Sequence, residues 1–262
     1  MAQCAARPRS GFRWVPLELM ALLDITGDVT RLAEPTQPGE RLSLALTAGP
    51  VEGRLQAAVA WLVVEGGRGD LAIDGIETGV RGLDDVFATT GCSAFLAPGS
   101  TFTVRGDLRT TLVWCAYDGS ATSRVIEPRD VVEEERGAGA NLRRVRTYLP
   151  SGPIIAGETL NPAGLWSSYP PHKHDTDSET ESRHEELYRY RFDPPGGFGL
   201  ALRYDDEVTE PTVVRDGDIS RITSGYHPVV AAPGYEMYYL WALAGDRHEL
   251  RPALDPAHAW LA

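Results

Sequence analysis

The residues best equipped for chemistry sit together in Tyr169-Pro170-Pro171-His172-Lys173-His174-Asp175. On an extended strand side chains alternate between faces, so His172 and His174 point one way and Lys173 the other. Two imidazoles so placed can chelate one divalent cation. Alone the pair is a weak signal, because two histidines on a strand more often serve a surface or a core. Two further donors strengthen it. The run Glu185-Glu186-Leu187-Tyr188-Arg189-Tyr190-Arg191-Phe192 opens with carboxylates that can supply an oxygen ligand, and His227 follows a turn at Gly225. Three imidazoles and one carboxylate, with positions left for water or substrate, suit Zn²⁺, Mn²⁺, Fe²⁺, Co²⁺ or Ni²⁺ and do not choose among them.

The neighbours of this set divide by chemistry. Lys173, the only lysine of the chain, invites a Schiff base with an aldehyde. Strand parity turns it away from the imidazoles, which leaves it a candidate substrate contact. Asp175 is a candidate acceptor for the second ring nitrogen of a ligand histidine, a partner that metal sites commonly need. Ser167 and Ser168 have no base placed for a triad, so nucleophilic catalysis is not supported. His184, His248 and His258 read as surface residues, as do Arg189 and Arg191.

The elements that must position these groups are strands. Short segments rich in Val, Ile, Leu, Tyr and Thr, such as 55–64, 111–117, 187–192, 198–204 and 237–243, lie between glycines and prolines. That spacing predicts an all-β chain. Helical patterning is confined to 16–23 and 129–135. The turn Ala97-Pro98-Gly99-Ser100 parallels Thr223-Ser224-Gly225-Tyr226, and the strand pattern breaks around Pro128 and the glycines of 137–139. This points to two barrels of one design, residues 1–126 and 127–262. All six histidines fall after residue 170, so the chemistry belongs to the second barrel and the first is a scaffold.

Composition narrows the partners. Twenty-five basic against thirty-seven acidic side chains leave a net charge of −12, which repels a nucleic-acid backbone. The densest basic segment, Arg143, Arg144 and Arg146, reads as a solvated face, so no nucleic-acid partner is expected. Three cysteines without CxxC spacing suggest neither a disulfide framework nor a cysteine metal site. No segment has membrane-spanning length or signal-peptide architecture, and the cytoplasm is expected. The sequence leaves room for a homo-oligomer.

The pattern resembles the cupin fold. Its first motif is HxH, a short gap, Glu, six residues and Gly; its second is Gly, five residues, Pro-x-Gly and His. Here Asp193 stands where the first glycine would be, which favours Glu186 over Glu185 as ligand, and Thr223 replaces the proline. The gap between His174 and Glu186 is eleven residues, an enlarged loop. The stretches GETLNPAGLWSSYPPHKHD, EELYRYRFDPPGGFGL and VVRDGDISRITSGYHPVVAAPGYEMYYLWALAG, with the closing DPAHAW, are similar to the 5-deoxy-glucuronate isomerases of myo-inositol catabolism. RGLDDVF and FLAPGS are similar to that family's degenerate first cupin.

The resemblance implies two tandem cupin barrels and one divalent ion, zinc first among the candidates, on His172, His174, Glu186 and His227. It also implies a sugar-acid substrate and the isomerisation of 5-deoxy-D-glucuronate to 5-dehydro-2-deoxy-D-gluconate through an enediolate. Tyr188 and Tyr190 share the parity of Glu186 and line the same barrel; Tyr188, Glu186 and Asp175 are the candidate proton carriers, and Tyr190 a candidate substrate contact. The net charge opposes an anionic substrate, so an arginine should make the pocket locally positive, and Arg203 is the candidate. Read from the donors alone, a ferrous dioxygenase and a non-catalytic sugar-binding cupin remain open.

Overall fold

The computed structural model describes residues 22–81 and 85–261, and the architecture is two tandem cupin barrels. The first half contributes β1 (Leu23–Ala33), β2 (Ser43–Leu55), β3 (Ala58–Gly66), β4 (Arg68–Ile73), β5 (Ile76–Arg81), β6 (Ser93–Leu96), β7 (Thr101–Gly106), β8 (Arg109–Ala116) and β9 (Arg124–Ile126). They form one curled sheet in the order β5-β4-β7-β2-β8-β3-β6-β9, with β1 also on β2.

The second half begins with β10 (Val132–Arg136), β11 (Arg143–Leu149), β12 (Ile155–Asn161), β13 (Trp166–Ser167), β14 (His172–Lys173) and β15 (His184–Asp193). It continues with β16 (Phe198–Tyr204), β17 (Thr209–Arg215), β18 (Ile219–Ile222), β19 (Val229–Ala231), β20 (Glu236–Gly245) and β21 (Ala253–Leu254). One wall is β10-β11-β12-β20-β15-β18, the other β13-β19-β16-β17, and β14 pairs with β21.

The two halves pack through sheet faces that the strand alternation makes apolar. Leu42, Leu44, Trp61, Val63 and Val113 of the first half share one buried cluster with Leu160, Leu187, Tyr238, Leu240 and Ala242 of the second. Strands β15 and β20 are therefore covered on both faces, and they read as nearly continuous buried runs. Polar groups cross this seam in matched pairs. Arg189, 6% exposed, meets Glu65 and Thr111 of the first half. Arg146, 1% exposed, donates to Glu133 Oε2 at 2.6 Å and to the carbonyls of Val86 and Thr89 at 3.0 Å. Burial pushes the Glu158 carboxyl beside it up to about 7, although Arg146 and Tyr238 pull the other way.

Two expectations change here. Arg146 and Arg189 are interior, because the strand faces assigned to solvent meet the other barrel. The patterning at 129–135 yields a single 3-10 turn, Pro128–Asp130, followed by β10; Pro128 supplies the turn, and register with β11 claims the rest. The helical pattern at 16–23 falls almost wholly outside the described residues, and its last residue, Leu23, opens β1. Among the described residues no helix is long and apolar enough to cross a membrane.

Candidate metal centre

Four elements converge inside the second barrel. Strand β14 is held by β21, with His172 opposite Leu254, and Asp255 N–H donates to the Pro171 carbonyl at 2.8 Å. The tail that closes the chain thus braces the HxH segment. Strand β15 presents Glu186 inward, opposite Ile222 of β18. The turn after β18 carries His227. Gly225 takes φ +81° there, and a Cβ on it would stand 2.8 Å from the Tyr204 carbonyl oxygen, so the turn requires glycine.

One ligand atom from each of His174, Glu186 and His227 lies within 4.8 Å of the others, and all three residues are buried. Glu186 Oε2 is 3.1 Å from His174 Nε2 and 3.4 Å from His227 Nε2. The second nitrogens are tied to backbone. His174 Nδ1 donates to the His184 carbonyl at 2.9 Å and His227 Nδ1 to the Gly225 carbonyl at 3.0 Å. A carbonyl only accepts, so each Nδ1 carries a hydrogen and each Nε2 faces the centre, where its lone pair is the one a cation would take from the neutral ring. His227 Nε2 is buried and makes no hydrogen bond, a donor left for a cation. The set fits a divalent ion. His172 stands at its edge, its ring 4.9 Å from that of His227 and 6.3 Å from that of His174.

The electrostatics agree with this arrangement. Burial raises the Glu186 carboxyl, but His174 and His227 outweigh it and bring it down to about 2. Burial lowers the His174 imidazole, and the carboxylate of Glu186 reverses this and raises it. His172, with burial and His227 acting together, falls to about 3 and is neutral at pH 7.

The other expected residues separate. Lys173 points away from the centre, its Nζ 2.6 Å from Asp175 Oδ1 and 2.9 Å from Glu181 Oε2. Asp175 meets the backbone rather than an imidazole, its Oδ2 accepting the Gly225 N–H at 2.8 Å. It holds the turn that carries His227. Tyr188 and Tyr190 are buried inside the barrel, with the Tyr188 ring 6.4 Å from that of His227. Burial, reinforced by Glu186, keeps the Tyr188 phenol protonated far above neutral pH. Arg203 lines a cavity of about 180 Å³ that reaches Tyr190, Ser220 and His227, and its guanidinium is engaged by Glu210 Oε2 at 2.7 Å and by Asp205 at 4.0 Å.

Several participants carried no sequence signal. His184 is buried in β15 and supplies, through its carbonyl, the partner that orients His174. Ser167 Oγ lies 2.5 Å from Tyr239 Oη, and Ser168 Oγ lies 2.9 Å from Tyr188 Oη. Ser168 holds φ +52°, a left-handed conformation that costs a non-glycine residue roughly 1–2 kcal/mol. Parity would have placed Tyr239 beside Tyr190, once their strands were known to pair.

A model of the KduI/IolB family matches residues 43–261. The chain belongs to this family. It is 38% identical over 178 residues to the 5-deoxy-glucuronate isomerase of Geobacillus kaustophilus, an alignment covering 64% of each protein. The chain thus spans less than two thirds of that relative's length. Among solved structures, an IolB-like protein from Salmonella typhimurium superposes with a TM-score of 0.81 at 28% identity, over 92% of this chain and 98% of that one. The oxalate decarboxylase of Lactobacillus farciminis shares the fold alone, with a TM-score of 0.53 at 8% identity over 89% and 88%.

Proposed function

We propose that this member of the KduI/IolB family is an aldose–ketose isomerase that converts 5-deoxy-D-glucuronate to 5-dehydro-2-deoxy-D-gluconate. Residues 127–262 are the working cupin in this reading and residues 1–126 its scaffold. The observation that carries it is His227 Nε2, buried without a hydrogen bond and facing the same carboxylate oxygen as His174 Nε2. His174, Glu186 and His227 would hold one divalent ion, with His172 completing the set and zinc the first candidate. Such an ion supplies Lewis acidity to adjacent carbonyl and hydroxyl oxygens.

The chain's own residues supply the rest. Moving a carbonyl from C1 to C2 removes a proton from C2, which the ionised carboxylate of Glu186 is the candidate to take, and returns one to C1. The O2 hydroxyl gives up a proton and O1 gains one, so no net proton is consumed. Tyr188, whose phenol keeps its proton, is the donor toward the developing oxyanion, and Ser168 fixes its Oη. Tyr190 and Tyr239 wall the barrel beside it and exclude water. Asp175 acts through the Gly225 turn. The test is turnover of 5-deoxy-glucuronate by the purified protein before and after a chelator. Turnover that chelation abolishes and a divalent ion restores is expected. Turnover in D₂O should place deuterium on the former C1; product free of deuterium would replace the proton shuttle by a hydride shift. Oxygen uptake without isomerised product would make the protein a dioxygenase instead.

A further inference from the structure

The reading above leaves the far end of the substrate unheld. A uronate carries a carboxylate several bonds from its aldehyde, in a protein of net charge −12, and that carboxylate needs a cation whose charge is not already taken. Among the described residues, the two arginines that line the cavity are taken, and so is Lys173 of the metal strand. Arg203 is paired with Glu210, Arg221 with Glu185, and Lys173 with Asp175 and Glu181.

Arg143 differs from all of these. Along β11, Arg144 pairs with Leu160 of the interface cluster, so alternation turns Arg143 to the opposite face, toward the barrel interior. It is half-buried, and among the described residues no carboxylate lies within ion-pair distance of it. Its hydrogen bonds go to carbonyl oxygens, both from Nη1: Asn141 at 2.9 Å and Tyr169 at 3.3 Å. Those bonds fix the head group and leave the rest of its fork of donors free for an anion.

Its position is set by the segment that leads into the metal strand. Ser167 holds Tyr239, Ser168 holds Tyr188, and Tyr169 holds Arg143, three consecutive residues shortly before His172. The Arg143 charge is felt at the phenols of Tyr239 and Tyr188, which partly offset the lowering that burial imposes on the guanidinium. Neighbouring residues of one segment thus hold a proton-bearing phenol and an uncompensated cation.

We propose that Arg143 anchors the substrate carboxylate, holding one end of an acyclic uronate while the reacting end lies at His174, Glu186 and His227. The assignment rests on the isomerase reading for its substrate and on the contacts of Arg143 for its place. The experiment compares kcat/KM for 5-deoxy-glucuronate and for its methyl ester, which keeps the aldehyde and hydroxyl and removes the charge.

Arg143→Gln should lose about 10- to 100-fold on the acid, chiefly in KM, the range expected for hydrogen bonds to a charged group. It should lose little on the ester. Arg143→Lys should recover part of the loss, and Arg144→Gln, on the face of the same strand turned to the first barrel, should retain the acid preference. Equal losses on acid and ester in Arg143→Gln, or an acid-selective loss in Arg203→Gln instead, would overturn the assignment. If the wild-type protein isomerises neither compound, the isomerase reading fails, and calorimetric titration of the same pair into wild type and Arg143→Gln decides the anchor. Acid-selective binding that the variant lacks upholds it, and wild-type binding indifferent to the charge removes it.

Discussion

The two barrels share one strand order and differ in what fills them. The path β2-β8-β3-β6 in the first corresponds to β12-β20-β15-β18 in the second, and β7-β4-β5 to β19-β16-β17. Leu96, three residues before Gly99, pairs with Ala60, while Ile222, three residues before Gly225, pairs with Glu186. Ala60 therefore occupies the place of Glu186, and Thr101 that of His227. The HxH segment has no counterpart. β2 passes to β3 through Gln56 and Ala57 alone, where the second barrel inserts everything from Ser168 to Arg183. With donors absent, Ala60, Leu62, Phe102, Leu112 and Trp114 close the first interior as an apolar core. A cupin barrel is stable when filled with hydrocarbon, so the polar interior of the second is a departure that function, not folding, requires.

The sharpest way to break the comparison is to give the second barrel the residue of the first. Glu186→Ala should fold, since alanine fills that place in the first barrel, and should lose its ion by elemental analysis. Turnover should fall by about 1,000-fold or more, the several kcal/mol a Lewis acid supplies. Full retention of the ion would end the assignment. The seam between the barrels comes next. Arg189→Ala leaves Glu65 buried without its main partner and should cost about 3 kcal/mol in denaturant unfolding; a loss under about 0.5 kcal/mol would mean that Arg191 and Thr111 suffice. A fragment of residues 127–262, with Leu187, Tyr238 and Leu240 uncovered, should be insoluble, and a soluble active fragment would contradict the scaffold role.

Smaller effects sharpen the geometry. Gly225→Ala would force a Cβ against the Tyr204 carbonyl in a left-handed turn and should lower stability by about 1–2 kcal/mol. If the turn exists to aim His227, metal affinity should fall with it; a destabilised protein of unchanged affinity would separate the two roles.

The sequence disclosed the second barrel better than the first, for a physical reason. Glu186, Tyr188 and Tyr190 could be placed on one face because a strand has a fixed period, and His227 because Gly225 marks the turn before it. Arg146 and Arg189 were misjudged because alternation tells which residues share a face and not what covers that face. Arg143 was missed for the same reason, since only the pairing of Arg144 with Leu160 shows which way the strand turns. The carbonyl of His184 and the serines before the HxH pair act through backbone position or a single hydroxyl, and neither leaves a pattern in residue types.

The smallest expected signal is a fraction of a proton, and it tests the centre most directly. With Nδ1 committed to the His184 carbonyl, the proton that His174 gains sits on Nε2, the atom facing Glu186. That proton and an ion compete for one lone pair. The His174 pKa is raised, so in metal-free protein it contributes stability fully present below its unfolded value near 6.5, and this is lost as pH rises through the folded value. Metal uptake reverses the trend, because the ion requires the neutral ring. Glu186 and His172, at about 2 and about 3, have no proton to release at pH 7. Binding Zn²⁺ to metal-free protein at pH 7 should therefore release up to about one proton from His174, read as the dependence of the calorimetric enthalpy on the ionisation enthalpy of the buffer. The release should shrink at pH 9, and affinity should drop by about tenfold per pH unit once His174 is mostly protonated. An enthalpy indifferent to the buffer at pH 7 would mean that the ion displaces no proton from His174, and the second barrel would lose its claim to a histidine–carboxylate centre.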